Sequence, residues 1–574
     1  MSAGALGGLA ALNLAFLLAG GSVVWAVAGL PSWSRVAELA GGAYLVGLAC
    51  SGVAWTLLLV AGVPLGGAAM LGVVAAVAVA GGAAGVVRRS PLPHAPRVRP
   101  PALLDVVGLG VAIVLLEAIF RAGRLAGLYT WDAWAFWVPK AKIIYLTGGL
   151  DTDFFTRLPG PTYPPLVPAL EAADFHAMAS MDVVTLHVQF WFCAVGFVAA
   201  VVGLLWRRVH HALLWTFVLA ALAAPRVGEH VLKPQADFLL DFLFVTGALL
   251  VLLWLLEDDR AHLLLATPLL AATVLTKREG VLLVACLAVA TAVAAGGRLR
   301  RAWWIVGLPF AVAAAVTGIW HAWYAAHGIG GEVAAGGGLA AGLGLDRAVD
   351  ALRLSLQVFF DPGLWGLVPF AGVVALAAAL AMGVRRPAMF ALVLVTLIVL
   401  GGAWVTWSYR ELAISTDDAL NPIVRYTTSI ELLLAVLAPL LVSSLVPERI
   451  GEVAAHTVRP ARAALLAGAL ALAYPVAALA HGLPRFPDRG DCVRAPVEGQ
   501  PVAVVFGRFD TLRAADALAQ RAEHVGFQGL RIEQDGCGRL VVWLPNAPDV
   551  KTGESVVAEA RGARFETHLE LGHG

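Results

Sequence analysis

Between Trp131 and Glu171 a polar, aromatic and proline-rich stretch interrupts a chain that is otherwise mostly apolar. It reads Trp-Asp-Ala-Trp-Ala-Phe-Trp-Val-Pro-Lys-Ala-Lys from Trp131, and later Thr-Tyr-Pro-Pro-Leu-Val-Pro-Ala-Leu-Glu from Thr162. Asp132 is an acid framed by Trp131 and Trp134. A carboxylate so placed can take the proton of a hydroxyl as a new bond forms, while the indoles stack on a sugar ring. Lys140 and Lys142 bring compact ammonium charges suited to phosphate. They are two residues apart, so on one helix they point about 200° away from each other, and at most one reaches a ligand shared with Asp132. Tyr163 precedes two prolines that hold the chain extended. It is therefore presented on a stiff loop.

Three further clusters have the same character. His230 and Lys233 lie just before an apolar run that begins at 238. Lys277-Arg278-Glu279 breaks what would otherwise be one long apolar run between Thr276 and Gly280. Arg425-Tyr426 stands ahead of another apolar run. The chain relies on arginine and has only five lysines, of which Lys140, Lys142, Lys233 and Lys277 fall in these polar stretches and Lys551 in the tail. No cofactor is expected from these residues. The five cysteines lack metal-ligand spacing. Cys492 and Cys537 lie beyond the last apolar run and can pair if that region is exported.

The positioning elements are apolar helices. Of 574 residues 60% are hydrophobic and 14% charged, against about a quarter charged in soluble domains. A net charge of +1 gives no reason to expect nucleic acid as a partner. A membrane span needs roughly 20 apolar residues. Such runs are read at about 4–28, 38–62, 66–87, 103–121, 183–205, 211–224, 238–256, 262–275, 280–296, 302–324, 363–384, 387–407, 427–446 and 461–481. The expected fold is an α-helical polytopic membrane protein of about 14 transmembrane helices. Arg88-Arg89, Arg207-Arg208, Arg300-Arg301 and Arg385-Arg386 sit in short links, which the positive-inside rule makes cytoplasmic. Residues 122–182, 225–237, 276–280, 325–362 and 408–426 then face outward. The first Lys or Arg is Arg35, so no cleaved signal peptide is expected.

Residues 1–482 form the membrane domain and 483–500 a linker. Residues 501–574 read as a small α/β domain. Val502–Phe506 alternates like a strand, and Asp510 caps an Ala-rich helix at 511–524. A strand ending at Ile532 and the turn Asp535-Gly536 precede a strand at Leu540–Leu544. A second helix at 551–562 and a strand at 564–570 complete a weak internal repeat.

This combination resembles the GT-C superfamily of polytopic glycosyltransferases. The closer likeness is to the branch with protein mannosyltransferases and the aminoarabinose transferase of lipid A. Asp132 in Trp-Asp-Ala-Trp matches the acid of the family's first large outer loop, although Ala133 stands where a second acid often follows. Tyr163-Pro164-Pro165-Leu166 and Lys277-Arg278-Glu279-Gly280 are similar to its Tyr-Pro-Pro-Leu and Lys-x-Glu-Gly elements. The resemblance implies a polyprenyl-phosphate sugar donor and an envelope glycan, lipid or protein acceptor. It implies transfer at the outer face of a bacterial-type inner membrane. Asp132 would be catalytic. Trp131, Trp134, Lys140, Lys142, Tyr163, His230, Lys233, Lys277, Arg278, Glu279, Arg425 and Tyr426 would contact substrate. The tail is similar in pattern to SPOR domains, which implies an extracytoplasmic position and peptidoglycan binding. The rival expectation is a lipid or small-molecule transporter or flippase. Transporters place charges mid-membrane on broken helices and carry inverted repeats. Here the charges cluster at one face and no such repeat is evident.

Overall fold

The structure is a computed structural model that describes residues 2–93, 102–123, 127–128, 130, 132–329, 345–410, 416–445, 495–497, 499–509, 512–534 and 539–572. The membrane region opens with α1 (Ala3–Ala28), α2 (Trp33–Val60), α3 (Gly67–Val87) and α4 (Leu103–Gly123). A π-turn (Ala133–Trp137) leads into α5 (Val138–Thr147), then α6 (Thr152–Arg157) and α7 (Leu166–Met178). The chain continues as α8 (Val183–Leu205), α9 (His211–Leu222), α10 (Pro225–His230), α11 (Ala236–Glu257), α12 (Arg260–Thr276), α13 (Glu279–Ala295) and α14 (Arg298–Ala326). It ends as α15 (Leu345–Phe359), α16 (Pro362–Trp365), α17 (Val368–Ala381), α18 (Arg385–Arg410) and α19 (Thr416–Leu445).

Every expected span up to residue 446 falls on helix, with the one at 363–384 divided between α16 and α17. Among the described residues nine helices are long and apolar enough to cross a membrane. The helices α9, α12, α13 and α17 are apolar but shorter, at 10–17 residues. The expected span at 461–481 lies outside the described residues, as do Trp131, Cys492 and Cys537. Cys50, Cys193 and Cys286 are free thiols.

The bundle is built around α11, which is buried from Ala236 to Leu255. A helix that is apolar all round finds partners on every side, and α8, α12, α13 and α19 supply them. The outer helices show the complementary pattern. Val79, Val86, Val114 and Trp303 are more than half exposed. Apolar surface of that extent needs a lipid rather than a water boundary.

Clusters of ion pairs mark the two ends of α11. At one end Arg208 bridges Glu38 at 2.7 Å and also pairs with Glu257, while Arg35 holds Glu38 at 2.8 Å and Asp259 at 3.1 Å. This ties together the ends of α2, α8, α11 and α12. The candidate site lies at the opposite end of α11, whose 22 residues span about 33 Å at 1.5 Å per residue. Between α5 and α8, helix α7 buries Glu171 and Asp174 completely. Burial raises both carboxyls well above the usual range, and Glu171 adds to the rise at Asp174.

The tail folds as expected in kind. Strand β1 (Val502–Phe509) is followed by α20 (Leu512–Val525), β2 (Arg531–Gln534), β3 (Leu540–Ala547), α21 (Val550–Gly562) and β4 (His568–Leu571). The sheet is antiparallel in the order β2-β3-β1-β4. The last strand starts at His568 rather than at residue 564, because Phe565 turns inward against Phe506 and Phe527. This β-α-β-β-α-β order recurs in many unrelated domains and names no ligand by itself.

Candidate functional site

Asp132 stands at the head of the π-turn, where the Val138 N–H reaches back five residues to the Ala133 carbonyl. Pro139 follows, and its missing N–H weakens regular α-helical pairing here. Such π-turns often mark functional positions. The turn aims Asp132 at Arg425 of α19, whose Nη1 donates to Asp132 Oδ2 at 2.5 Å. Nε of Arg425 lies 3.6 Å from Asp237 Oδ2, in the first turn of α11. Lys277, between α12 and α13, donates to Asp237 Oδ1 at 2.7 Å and meets Glu279 at 3.1 Å. Gln235 Nε2 donates at 3.0 Å to Asp237 Oδ2, the oxygen that also faces Arg425.

The outcome is an alternating chain of charges: Asp132, Arg425, Asp237, Lys277, Glu279. Its members are 293 residues apart at the extreme, Asp132 to Arg425. They meet because Asp132, Asp237, Lys277 and Glu279 each sit at a helix end on one side of the bundle, and Arg425 reaches them from within α19. The chain is largely dry, and the Lys277 side chain is only 4% exposed. Burial works against the Lys277 ammonium, but Asp237 and then Glu279 more than offset it and hold the proton above the usual lysine range.

Tyr163 forms the wall of this chain. Its ring stacks on Trp137 at 5.5 Å and on Phe136 at 5.7 Å. The Lys277 ammonium lies 6.0 Å from the ring centre and the Arg278 guanidinium 5.5 Å, both within cation–π range. Gly160 sets up the loop. Its φ is +60°, and a Cβ there would come within 2.4 Å of the Tyr163 ring. Gly160→Ala should therefore cost at least about 1–2 kcal/mol, the left-handed penalty for an L-residue, before any clash. Thermal unfolding of the purified protein checks this against Gly149→Ala, where nothing lies within 4 Å of an added Cβ.

A second layer stands behind Asp237. Lys233 Nζ is 2.5 Å from His230 Nδ1, and Arg226 also pairs with His230. Arg226 is close enough for its charge to act on Asp237. Val227 of α10 and Val231 just after it point elsewhere, into a small apolar cavity of about 30 Å³ that Phe197, Phe242 and Leu432 also line. The short helix thus separates a cationic face from a greasy one.

Of the residues expected from sequence, Asp132, Tyr163, Lys277, Glu279 and Arg425 come together here, with His230 and Lys233 behind them. Arg278 turns to a neighbouring cavity. Lys140 is fully buried and donates to the Gly160 carbonyl at 2.6 Å, under the rings of Phe136 and Phe155. It holds the loop that carries Tyr163. Lys142 is half-buried, and desolvation lowers its pKa. Trp134 is half exposed. Tyr426 follows Arg425 by one helical step of about 100° and lines a separate small cavity with Phe359 and Ile398. Sequence reasoning missed Asp237, Gln235 and Arg226. The signal for Asp237 was present as an acid at the mouth of an apolar span, where charge is costly and usually functional.

Among the described residues no group of three His, Cys, Asp or Glu side chains is placed to hold a metal ion. No protein family, curated protein or solved structure matches this chain.

Proposed function

We propose that the protein is an integral membrane glycosyltransferase that moves a sugar from a polyprenyl-phosphate donor to a cell-envelope acceptor. The observation that carries this reading is the meeting of Asp132, Tyr163, Lys277 and Arg425 with Asp237 at one end of a helical bundle. A base, an aromatic wall and two cations within contact of one another suit sugar transfer from a phosphate.

In this reading the resting charges neutralise one another, and the donor phosphate competes with Asp132 and Asp237 for Arg425 and Lys277. Its arrival frees the Asp132 carboxylate. The acceptor oxygen then attacks the anomeric carbon, the bond from that carbon to the phosphate oxygen breaks, and the acceptor proton passes to Asp132. The lipid phosphate leaves with its charge held by Arg425 and Lys277. Asp237 keeps both cations in place, and Tyr163 packs against the sugar.

The topology that goes with this has 14 spans, the site at the outer face of an inner membrane, and the tail outside, where peptidoglycan is one partner. Purified protein in liposomes tests the reading. With labelled polyprenyl-phosphate sugar and an envelope extract, label should move into a non-polyprenyl product. Vectorial movement of the labelled lipid without transfer would instead make the protein a flippase.

A further inference from the structure

Arg278 and Lys277 are adjacent in sequence, yet they serve different spaces. Lys277 is locked between Asp237 and Glu279. Arg278 faces a cavity of about 370 Å³ on the other side of the Tyr163 loop. Thr162 and Pro164 of that loop line it, together with Thr317, Trp320, His321 and Tyr324 from the last turns of α14. Trp320 is almost fully buried and donates its indole N–H to the Thr162 carbonyl at 2.9 Å, which fixes the wall. His321 is hydrogen-bonded to Tyr324. Trp323 stacks on Trp320 at 5.0 Å and braces it from behind.

The charge of Arg278 is not neutralised in the way its neighbours are. Its Nη1 donates to the Thr162 hydroxyl at 2.7 Å, and its guanidinium rests on Tyr163. Among the described residues no carboxylate pairs with it. A guanidinium has five N–H donors in a planar fork that fits carboxylate or phosphate. One of the five is used by Thr162. Tyr324 and Trp320 add flat aromatic surface, and His321, Thr317 and Thr162 add hydroxyl and imidazole groups of the kind that bind sugar hydroxyls. A cation with spare donors, aromatic walls and a few convergent polar groups is the composition of a small-ligand pocket.

We infer that this cavity is a second substrate subsite, which takes an anionic sugar, phosphorylated or carboxylated, as the acceptor. The role of acceptor rests on the transferase reading, whereas binding of an anionic sugar stands on the cavity alone. The Tyr163 loop separates the two sites and touches both. The Arg278 guanidinium holds the negative group, and Trp320 and Tyr324 face the ring. A hydroxyl of that sugar is then directed past Tyr163 toward Asp132.

Equilibrium binding to the full chain in zwitterionic nanodiscs tests this with three probes: methyl glucoside, glucuronic acid and glucose 6-phosphate. Both anionic sugars should bind about tenfold or more tighter than the neutral one, the scale set by a charged hydrogen bond. Arg278→Gln should abolish that preference and Arg278→Lys should keep part of it. His321→Ala is exposed and leaves the fold alone. It should weaken all three probes several-fold, which tests the cavity even if the Arg278 variants fold poorly. Equal binding of the three probes by the wild type overturns the proposal, as does a preference that survives Arg278→Gln. Loss of the preference when phosphatidylglycerol is added to the nanodisc also overturns it, because the pocket would then hold a phospholipid headgroup. Binding needs no turnover. A protein that binds anionic sugar through Arg278 but transfers nothing keeps the subsite and loses the transferase reading. A protein that transfers but fails the probes does the reverse.

Discussion

Asp132→Asn is expected to cut sugar transfer by on the order of 10²-fold or more, the usual contribution of a positioned general base. The substitution keeps size and removes the negative charge together with the capacity to take a proton. Its structural cost should be small. Arg425 loses the 2.5 Å contact with Asp132 but still has Asp237 at 3.6 Å. Expression and insertion should match wild type. The kinetic pattern separates two roles that geometry alone leaves joined. If Asp132 takes the proton, kcat falls and the donor KM changes little. If it only holds Arg425 for the phosphate, the donor KM rises and kcat is spared. Transfer within a few-fold of wild type would remove Asp132 from the chemistry altogether.

The sequence made the helices easy to read and their rotations hard. Among the described residues the apolar runs fall on helices, because burying such a run in lipid or protein leaves the backbone little choice but to bond to itself. What the runs do not carry is which face turns inward. Arg425 and Tyr426 looked equivalent as neighbours, yet one helical step puts the first in the ion chain and the second against α18. Lys140 looked like a ligand for phosphate, but α5 turns it under Phe155 and onto Gly160. Lys277 and Arg278 looked like one basic patch and line two separate spaces. Asp237 was passed over because the apolar run was counted from residue 238, which made the acid read as a boundary. Its role appears only when α12 and α19 bring Lys277 and Arg425 to it, and long-range partners of that kind leave no mark on local pattern. The tail was more legible, since alternating strands and capped helices are local features. Only the inward turn of Phe565, a tertiary contact, shifted an edge.

Asp237 is the residue whose loss should be felt most widely, and a pair of substitutions shows why. It lies between two cations that nothing else keeps apart. Asp237→Asn leaves Arg425 and Lys277 facing each other with one fewer negative charge in a nearly dry site. Breaking a buried pair by removing one partner typically costs about 3–5 kcal/mol, and a drop of that order is expected in unfolding of the purified protein. Lys277→Met alone should be costly as well, since it strands Asp237 and Glu279. The two together should cost clearly less than the sum, because a neutral Asn beside a Met leaves no stranded charge between α11 and α12. Residues that share a contact are the ones for which such non-additivity is expected. Transfer should behave differently. Neither single variant nor the double one should recover activity, because the phosphate still lacks its ammonium. Arg300→Gln, at the far end of the bundle, should change neither property. Additive stability losses would mean that Asp237 and Lys277 do not act as a pair. Activity restored in the stable double variant would mean that the chain of charges serves the fold and that the donor phosphate is held elsewhere.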